Sequence, residues 1–181
     1  VYFNHDIGFQ IMCSYGMEYK ITGNVDCLPI IRGAAELLAS RFNEAAGVTS
    51  SWDNETTCRT IIDNMMNLEL LMVMGNMDDD QKLRNVAVSH ADKTMENHFR
   101  EDFTTFHLVD YVPETGAVNK RITVQGLADA SAWARGQAWA LYGYVMMYQQ
   151  TADRKYLTLA QDIADIMTMR KIYEIQAVRW A

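Results

Sequence analysis

The sequence has 181 residues, 49% of them hydrophobic and 22% charged; this is the composition of a folded chain, and wholesale disorder is excluded. Sixteen Lys and Arg against 23 Asp and Glu leave a net charge of −7. That argues against a broad phosphate-binding surface, and so against general nucleic-acid binding, without excluding a small basic pocket for one acidic group.

The two prolines and ten glycines are too few for the many turns of an all-β sandwich. Cys13, Cys27 and Cys58 form an odd set with no CxxC pair, match no zinc spacing and make a disulfide framework implausible. Buried free thiols on helices are expected instead. No apolar run reaches the roughly 18 residues of a membrane span. The opening Val1-Tyr2-Phe3-Asn4-His5-Asp6 has neither a start Met nor a signal-peptide layout. It reads as the interior of something longer, so the compartment is not legible from it.

The dominant pattern is an apolar period of about 3.6 residues, which predicts about six helices. The first covers 7–21, with Ile7, Ile11, Met12, Tyr15 and Tyr19 on one stripe and Gly23-Asn24 as its stop. The second covers 25–45, with Ile30, Ile31, Ala34, Leu37, Leu38 and Phe42 inward. Pro29 falls within or near its first turn, where a missing N–H does least harm. A polar loop containing Trp52 follows over 47–55. Thr56 or Thr57 caps a third helix through 74, whose apolar residues, from Ile61 and Ile62 to Val73, lie all around it. Such a helix is enclosed by protein on most sides. Asp78-Asp79-Asp80 opens a fourth helix, placing acidic groups at the positive end of its dipole. Its inward stripe is Leu83, Val86, Ala87, His90, Ala91, Thr94 and His98.

Between 104 and 126 the character changes. Thr105-Phe106-His107-Leu108-Val109-Asp110-Tyr111, the turn signal Pro113-Glu114-Thr115-Gly116 and Arg121-Ile122-Thr123-Val124 with its β-branched residues read as a long insertion with a short hairpin. Helix returns over 131–150, rich in Trp and Tyr, and again over 153–169; 172–181 has no clear period. Antiparallel helix pairs with short links and no strand–helix alternation predict a helical solenoid or toroid. The lack of a strict repeat argues against a tetratricopeptide-type array.

Asp63 stands out, inside Ile61-Ile62-Asp63-Asn64-Met65-Met66-Asn67-Leu68 on the helix with almost no polar face. A carboxylate there is taken from water, the setting of a general acid/base. It is equally the setting of a core aspartate paired with Arg59 four residues earlier. Asp6 follows His5 at the start of the first helix, where Asn4 or Asp6 can serve as a cap; a catalytic role requires Asp6 and Asp63 to converge. His107 and Gln125 flank the hairpin. His90 and His98 lie on an inward stripe, where a satisfied core role is favoured over a ligand role. No HExxH or other metal-ligand spacing is present. In Trp133-Ala134-Arg135-Gly136-Gln137-Ala138-Trp139, Arg135 and Trp139 are four apart and share a helix face. An aromatic plate beside a guanidinium can receive a sugar carboxylate, or simply make an interhelical contact.

Five segments, taken in order, resemble the unsaturated glucuronyl hydrolases, glycoside hydrolase family 88. They are Asn4-His5-Asp6-Ile7-Gly8-Phe9, Ile62-Asp63-Asn64-Met65-Met66-Asn67-Leu68, Phe106-His107, Thr123-Val124-Gln125-Gly126 and the 131–139 stretch ending Trp133-Ala134-Arg135-Gly136-Gln137-Ala138-Trp139. The resemblance runs from Asn4 to about Met169, and the tail after Arg170 departs from it. It implies an all-α fold, the (α/α)6 barrel, with 1–181 a single domain forming its central part without internal boundary. It implies release of a Δ4,5-unsaturated uronic acid from the non-reducing end of lyase-generated oligosaccharides. Asp63 matches the family's general acid/base and Asp6 the aspartate that assists it. His5, His107, Gln125, Trp133, Arg135 and Trp139 match pocket positions.

No metal and no organic cofactor is implied. The partner implied is a glycosaminoglycan-type unsaturated disaccharide, with neither nucleic acid nor membrane. The related unsaturated rhamnogalacturonyl hydrolases and a non-catalytic helical binding or scaffold domain are the alternatives; the His-Asp-x-Gly-Phe and Asp-x-Met-Met-Asn forms favour the glucuronyl group. Cytoplasm is the default compartment, with periplasm or secretion open. The barrel needs about twice the helices predicted, so the sequence covers about half of it. An incomplete copy of a longer sequence is expected rather than a natural truncation: a half-barrel would expose large apolar faces, and no key residue is lost.

Overall fold

The computed structural model describes residues 4–52 and 56–168. The first predicted helix forms as α1 (Ile7–Ile11), a π-type turn over Met12–Gly16, and α2 (Met17–Thr22). Gly23 closes it in the left-handed region, φ 70°, the conformation glycine adopts without a Cβ penalty. A 3-10 turn, Val25–Cys27, leads into α3 (Leu28–Ala39). Asn24 caps that turn by accepting the Asp26 N–H at 3.1 Å. Ile31, Ala34, Ala35 and Leu38 form the buried face of α3.

The second helix is shorter than its period predicts: it stops at Ala39, not 45. The Arg41 guanidinium donates to the carbonyls of Ser50 and Ser51 at 3.2 and 3.0 Å. Asn43 Oδ1 accepts the Ala46 N–H at 2.8 Å. These side-chain bonds compete with helix and turn the segment into the antiparallel pair β1 (Phe42–Asn43) and β2 (Val48–Thr49). Residues 53–55 of the predicted polar loop lie outside the described residues.

The largest difference falls on 56–74. The predicted third helix is instead a strand, β3 (Cys58–Ile61), a 3-10 segment, Ile62–Asn67, and then α4 (Leu68–Met77). β3 pairs antiparallel with β4 (Leu108–Tyr111), Arg59 opposite Asp110 and Ile61 opposite Leu108. β4 pairs with β5 (Val118–Ile122), so the predicted hairpin is present and gains a third strand. The run Thr60-Ile61-Ile62 is apolar and β-branched, and a fully buried strand and a buried helix leave the same all-round apolar pattern. The enclosed helix exists, but it begins at Leu68, with Leu68, Leu70, Leu71, Met72 and Met74 buried.

Helix α5 (Gln81–Asn97) starts where predicted: the Asp80 carboxylate caps it by accepting the N–H groups of Lys82 and Leu83. The long helix α6 (Ala134–Thr151) and α7 (Arg154–Thr168) follow as a hairpin; residues from Met169 on lie outside the described residues, as does the aperiodic stretch 172–181. One core joins α3, α4, α5, α6 and α7 through residues such as Ile31, Leu71, Ala87, Tyr144 and Ile163. A second, small core of Val48, Cys58, Val109 and Tyr111 sits between β2 and the sheet.

His90 and His98 take the core role. Both are wholly buried, and burial pushes each imidazole down to about 3, so each is neutral. His90 Nδ1 accepts the Thr49 N–H at 3.0 Å, and His98 Nε2 lies 3.3 Å from the Thr60 carbonyl. The cysteines are free, but the expectation of buried thiols on helices holds only in part. Cys13 is exposed, and Cys58 is buried on a strand, its thiol pushed up to about 11 by burial and by the charge of Asp110.

Candidate active site

The short 3-10 segment carries Asp63, and four anchors fix it. The Ile62 N–H donates to the His107 carbonyl at 2.9 Å, which seats β4's entry beside Asp63. Asn64 Nδ2 donates to Thr49 O at 2.9 Å and to Thr60 Oγ1 at 3.0 Å, while its Oδ1 accepts from Ser51 Oγ at 3.0 Å. Helix α6 closes over the other side. A Cβ at Gly136 would stand 2.9 Å from Ile62 Cγ2 and 2.8 Å from Trp133 Cε3, so only glycine lets α6 come this close.

The fourth anchor is Asn67, and it brings in Asp6. Asn67 is buried. Its Oδ1 accepts the N–H of Gly8 at 2.9 Å and of Phe9 at 3.4 Å, and its Nδ2 donates to the His5 carbonyl at 2.5 Å. A Cβ at Gly8 would lie 2.5 Å from Asn67 Cα; the first turn of α1 rests directly on the segment that carries Asp63. The two short motifs of the sequence are the halves of one clamp.

Asp6 occupies the cap position of α1, yet its side chain makes no capping bond. Of the two candidates, Asn4 makes the side-chain bond: its Oδ1 accepts the Asp6 N–H at 2.8 Å. The Asp6 carboxylate is thereby free to face His5, with Nε2 to Oδ1 3.1 Å. Burial raises the Asp6 carboxyl above its ordinary range; His5 draws it back down, and the negative charge of Asp63 pushes it up. The charge of Asp63 thus reaches the Asp6 carboxyl.

Asp63 is 13% exposed, and its Oδ2 lies 3.4 Å from His107 Nε2. No hydrogen bond is formed there: Asp63 Oδ2 and both His107 ring nitrogens are buried without a hydrogen-bond partner among the described residues. The His107 ring stands edge-on to Trp133, centroids 4.8 Å apart. Arg135 lies over the same Trp133 ring at 4.5 Å and donates to Gln125 Oε1 at 2.7 Å. His107, Gln125, Trp133 and Arg135 thus form one connected wall. Trp139 stacks on Phe9 at 6.2 Å, and its Nε1 is also buried without a partner among the described residues.

Two expected contacts are corrected. Arg59 does not pair with Asp63; on a strand, residues 59 and 63 are not one helical turn apart, and Arg59 Nε instead meets Asp110 Oδ1 at 3.2 Å. The aromatic plate beside Arg135 is Trp133 rather than Trp139, because α6 begins only at Ala134 and Trp133 is its extended cap residue. Sequence reasoning did not find Asn67, Gly8, Phe9 or the Trp52 ring 5.7 Å from that of His5. The buried Asn one turn past Asp63 was the available signal.

No family model matches the sequence. It is 40% identical over 161 residues, 87% of this chain and 40% of the relative, to the unsaturated glucuronyl hydrolase of Formosa agariphila. It is 35% identical to the unsaturated chondroitin disaccharide hydrolase of Streptococcus agalactiae, over 92% of this chain and 43% of the relative. The crystal structure of an unsaturated glucuronyl hydrolase specific for heparin superposes with a TM-score of 0.88 at 43% identity, covering 92% of this chain and 45% of that one. The chain thus spans about two-fifths of the length of these curated relatives.

The helix hairpins superpose on these structures, and the chain forms about half of an (α/α)6 barrel. Within that fold the chain belongs to the unsaturated glucuronyl hydrolases, glycoside hydrolase family 88. Among the described residues no helix is long and apolar enough to cross a membrane, and no group of three His, Cys, Asp or Glu could hold a metal ion.

Proposed function

We propose that the protein carrying this chain removes a Δ4,5-unsaturated uronic acid from the non-reducing end of oligosaccharides left by polysaccharide lyases, and that residues 1–181 are one uninterrupted part of a single catalytic domain. The observation that carries this reading is the carboxylate pair: Asp63, enclosed with Oδ2 unpartnered beside His107, and Asp6, raised by burial and by the charge of Asp63. The names of the relatives, which speak of glucuronyl groups, chondroitin disaccharide and heparin, supply the substrate class.

The C4=C5 bond of such a sugar is a vinyl ether. Asp63 delivers a proton to C4, leaving positive charge at C5 shared with the ring oxygen. A water gives a proton to the carboxylate pair and its oxygen bonds to C5. The resulting hemiketal opens, C1 becomes an aldehyde, and the rest of the chain departs as an alcohol. One water is consumed and one glycosidic bond is lost. Attack is not at C1, so the carboxylate separations that sort retaining from inverting glycosidases do not govern the outcome. A positioned acid/base of this kind contributes roughly 10²–10⁴-fold. Arg135, held by Gln125 and lying over Trp133, is the cation that meets the uronate carboxylate, and Trp133 and Trp139 are the plates for the ring. No metal or organic cofactor enters any step.

The test is a fall in ultraviolet absorbance at the vinyl-ether band on adding an unsaturated chondroitin disaccharide. Asp63→Asn is expected to abolish that fall while circular dichroism stays unchanged. Normal turnover by Asp63→Asn overturns the assignment.

A further inference from the structure

The turn between α5 and β4 is built around one cation, Arg100. Its N–H donates to Thr104 O at 2.8 Å, and the Phe103 N–H donates to Arg100 O at 2.9 Å. Phe103 takes the left-handed region, φ 60°, and Phe99 and Thr105 close the turn as an isolated antiparallel bridge. The chain that leaves this turn reaches His107 two residues after Thr105.

The two arms of the Arg100 guanidinium serve two separate segments. Nη1 donates to Thr104 Oγ1 at 3.2 Å and to Thr105 O at 2.8 Å, in the stretch that leads to His107. Nη2 donates to Asp129 O at 2.7 Å and to Ser131 O at 3.2 Å, in the stretch that leads to Trp133. The guanidinium also lies over the Phe106 ring, 3.9 Å from its centroid. A planar fork of donors can span two groups of acceptors at once, which the point charge of a lysine cannot.

The second segment is a unit in itself. In the loop over 123–131, Asp129 Oδ1 accepts the Thr123 N–H at 2.8 Å, and Ser131 Oγ accepts the Ala128 N–H at 3.0 Å. A Cβ at Gly126 would stand 2.9 Å from Ser131 Oγ, so the loop is wound tightly on itself. Gln125 sits on this loop and accepts from Arg135 at 2.7 Å. Arg100 therefore grips the base of the loop that steadies Arg135, and ties it to the entry of β4. None of these bonds reaches Asp6 or Asp63.

We propose that Arg100 is a positioning residue: its guanidinium sets the spacing between His107 and the Gln125, Trp133 and Arg135 side of the pocket, so that Arg135 stands where the uronate carboxylate arrives. The assignment goes beyond the hydrolase reading and rests on it for what the pocket receives. Asp63 and His107 are joined without Arg100, because the Ile62 N–H holds the His107 carbonyl at 2.9 Å. Removing the guanidinium thus frees the loop and leaves the acid in place, so the loss falls on substrate binding.

Arg100→Ala and Arg100→Lys in the protein carrying this chain test it, at a temperature where circular dichroism shows both folded, with an unsaturated chondroitin disaccharide as the probe. Arg100→Ala is expected to raise KM about 10-fold, the scale of one hydrogen bond to a charged group, with kcat within about 2-fold. Arg100→Lys should fall between, since an ammonium serves one segment only. In an Arg135→Ala background Arg100→Ala should add less than about 2-fold, because both act through one contact. A merely structural Arg100 would lower the urea midpoint and leave KM unchanged.

A readout without substrate separates this proposal from the hydrolase reading. The Trp133 ring stands edge-on to His107 at 4.8 Å, so the His107 ring protons report its position in a proton–carbon NMR spectrum. In Arg100→Ala their resonances are expected to shift toward those of Trp133→Leu; where Arg100→Ala does not fold, Arg100→Lys decides both readouts. That shift, with a wild type that turns over no probe, upholds Arg100 as the spacer and sinks the hydrolase reading alone. Unchanged KM together with unchanged His107 resonances in the folded variants overturns the proposal.

Discussion

Replacing Asn67 with alanine removes the clamp between the two motifs and leaves the rest of the core in place. The Gly8 N–H, buried, loses its 2.9 Å acceptor, and the His5 carbonyl loses its 2.5 Å donor. Each orphaned backbone group costs about 1–3 kcal/mol; the long Phe9 bond adds little, so the expected loss is about 2–6 kcal/mol. Urea unfolding followed by circular dichroism should show a lower midpoint with an unchanged slope. Gly8→Ala attacks the same contact from the other side. Its Cβ would lie 2.5 Å from Asn67 Cα, an overpacking worth about 1–3 kcal/mol. Trimming Asn67 to alanine removes Oδ1, also 2.5 Å away, but leaves Cα at 2.5 Å and Cβ at 2.7 Å, so the clash persists and the double variant is expected to be less stable than Asn67→Ala alone. Because the clamp sets Asp6 against Asp63, a shift of about 1 Å is expected to cost turnover about 10²-fold. An Asn67→Ala protein within about 0.5 kcal/mol of wild type, the range of an ordinary surface change, and fully active refutes the clamp.

The Asp6 carboxyl is raised from its ordinary 3.8 by burial first and by Asp63 after it. The folded state then binds this proton more tightly than the unfolded state, so ionisation of Asp6 costs stability as pH rises through the window just above 3.8. Asp6→Asn should therefore gain stability relative to wild type across that rise while losing activity; a stability difference flat with pH counts against the raised carboxyl. The imidazoles of His90 and His98 run the other way. Each is pushed from 6.5 down to about 3 by burial, so the stability they contribute is complete above 6.5 and drains as pH falls toward 3. The urea midpoint of wild type should drop over this interval, and the double variant His90→Asn with His98→Asn should flatten the slope. Gly136→Ala forces a Cβ to within 2.9 Å of Ile62 and should cost about 1–3 kcal/mol in the same urea titration; an unchanged midpoint would show that α6 yields freely.

Most of the helical frame was legible because amphipathic period and end signals agree. Gly23 ends the first helix and Asp80 begins α5 where the sequence places them. The failures share one cause, bonds between distant residues. β3 is held by a partner strand, with Arg59 and Asp110 51 positions apart, and local propensity carries no trace of that pairing. The helix over 25–45 was cut short by the reach of Arg41 to Ser50 and Ser51. Residue types at the site were readable from the motifs, and Asp63 was conspicuous as a carboxylate in an apolar run. Their convergence was not readable, since Asn67 joins positions 59 and 62 residues away.

The pattern of satisfied and unsatisfied polar groups separates support from function. Around the aspartates, Asn64, Asn67 and Gln137 are buried with both ends of their amides bonded: Gln137, for one, donates to Phe103 O at 2.8 Å and accepts the Thr105 N–H at 2.9 Å. These groups hold geometry, and a bond left open there would only cost stability. The unpartnered atoms lie elsewhere. One set, His90 Nε2, Thr94 Oγ1 and His98 Nδ1, runs along a single face of α5; these are neutral groups of the kind that ordered water serves. A second set is Asp63 Oδ2, the two nitrogens of His107 and Trp139 Nε1, with Tyr111 Oη apart from both. It alone contains a carboxylate, and it alone adjoins a second acid. A carboxylate oxygen held 3.4 Å from an imidazole nitrogen without a formed hydrogen bond is costly in a fold stabilised by about 5–15 kcal/mol in total. A substrate can supply the partners those atoms lack, and for that reason the proposed catalytic role is placed on Asp63 and not on the other buried polar residues.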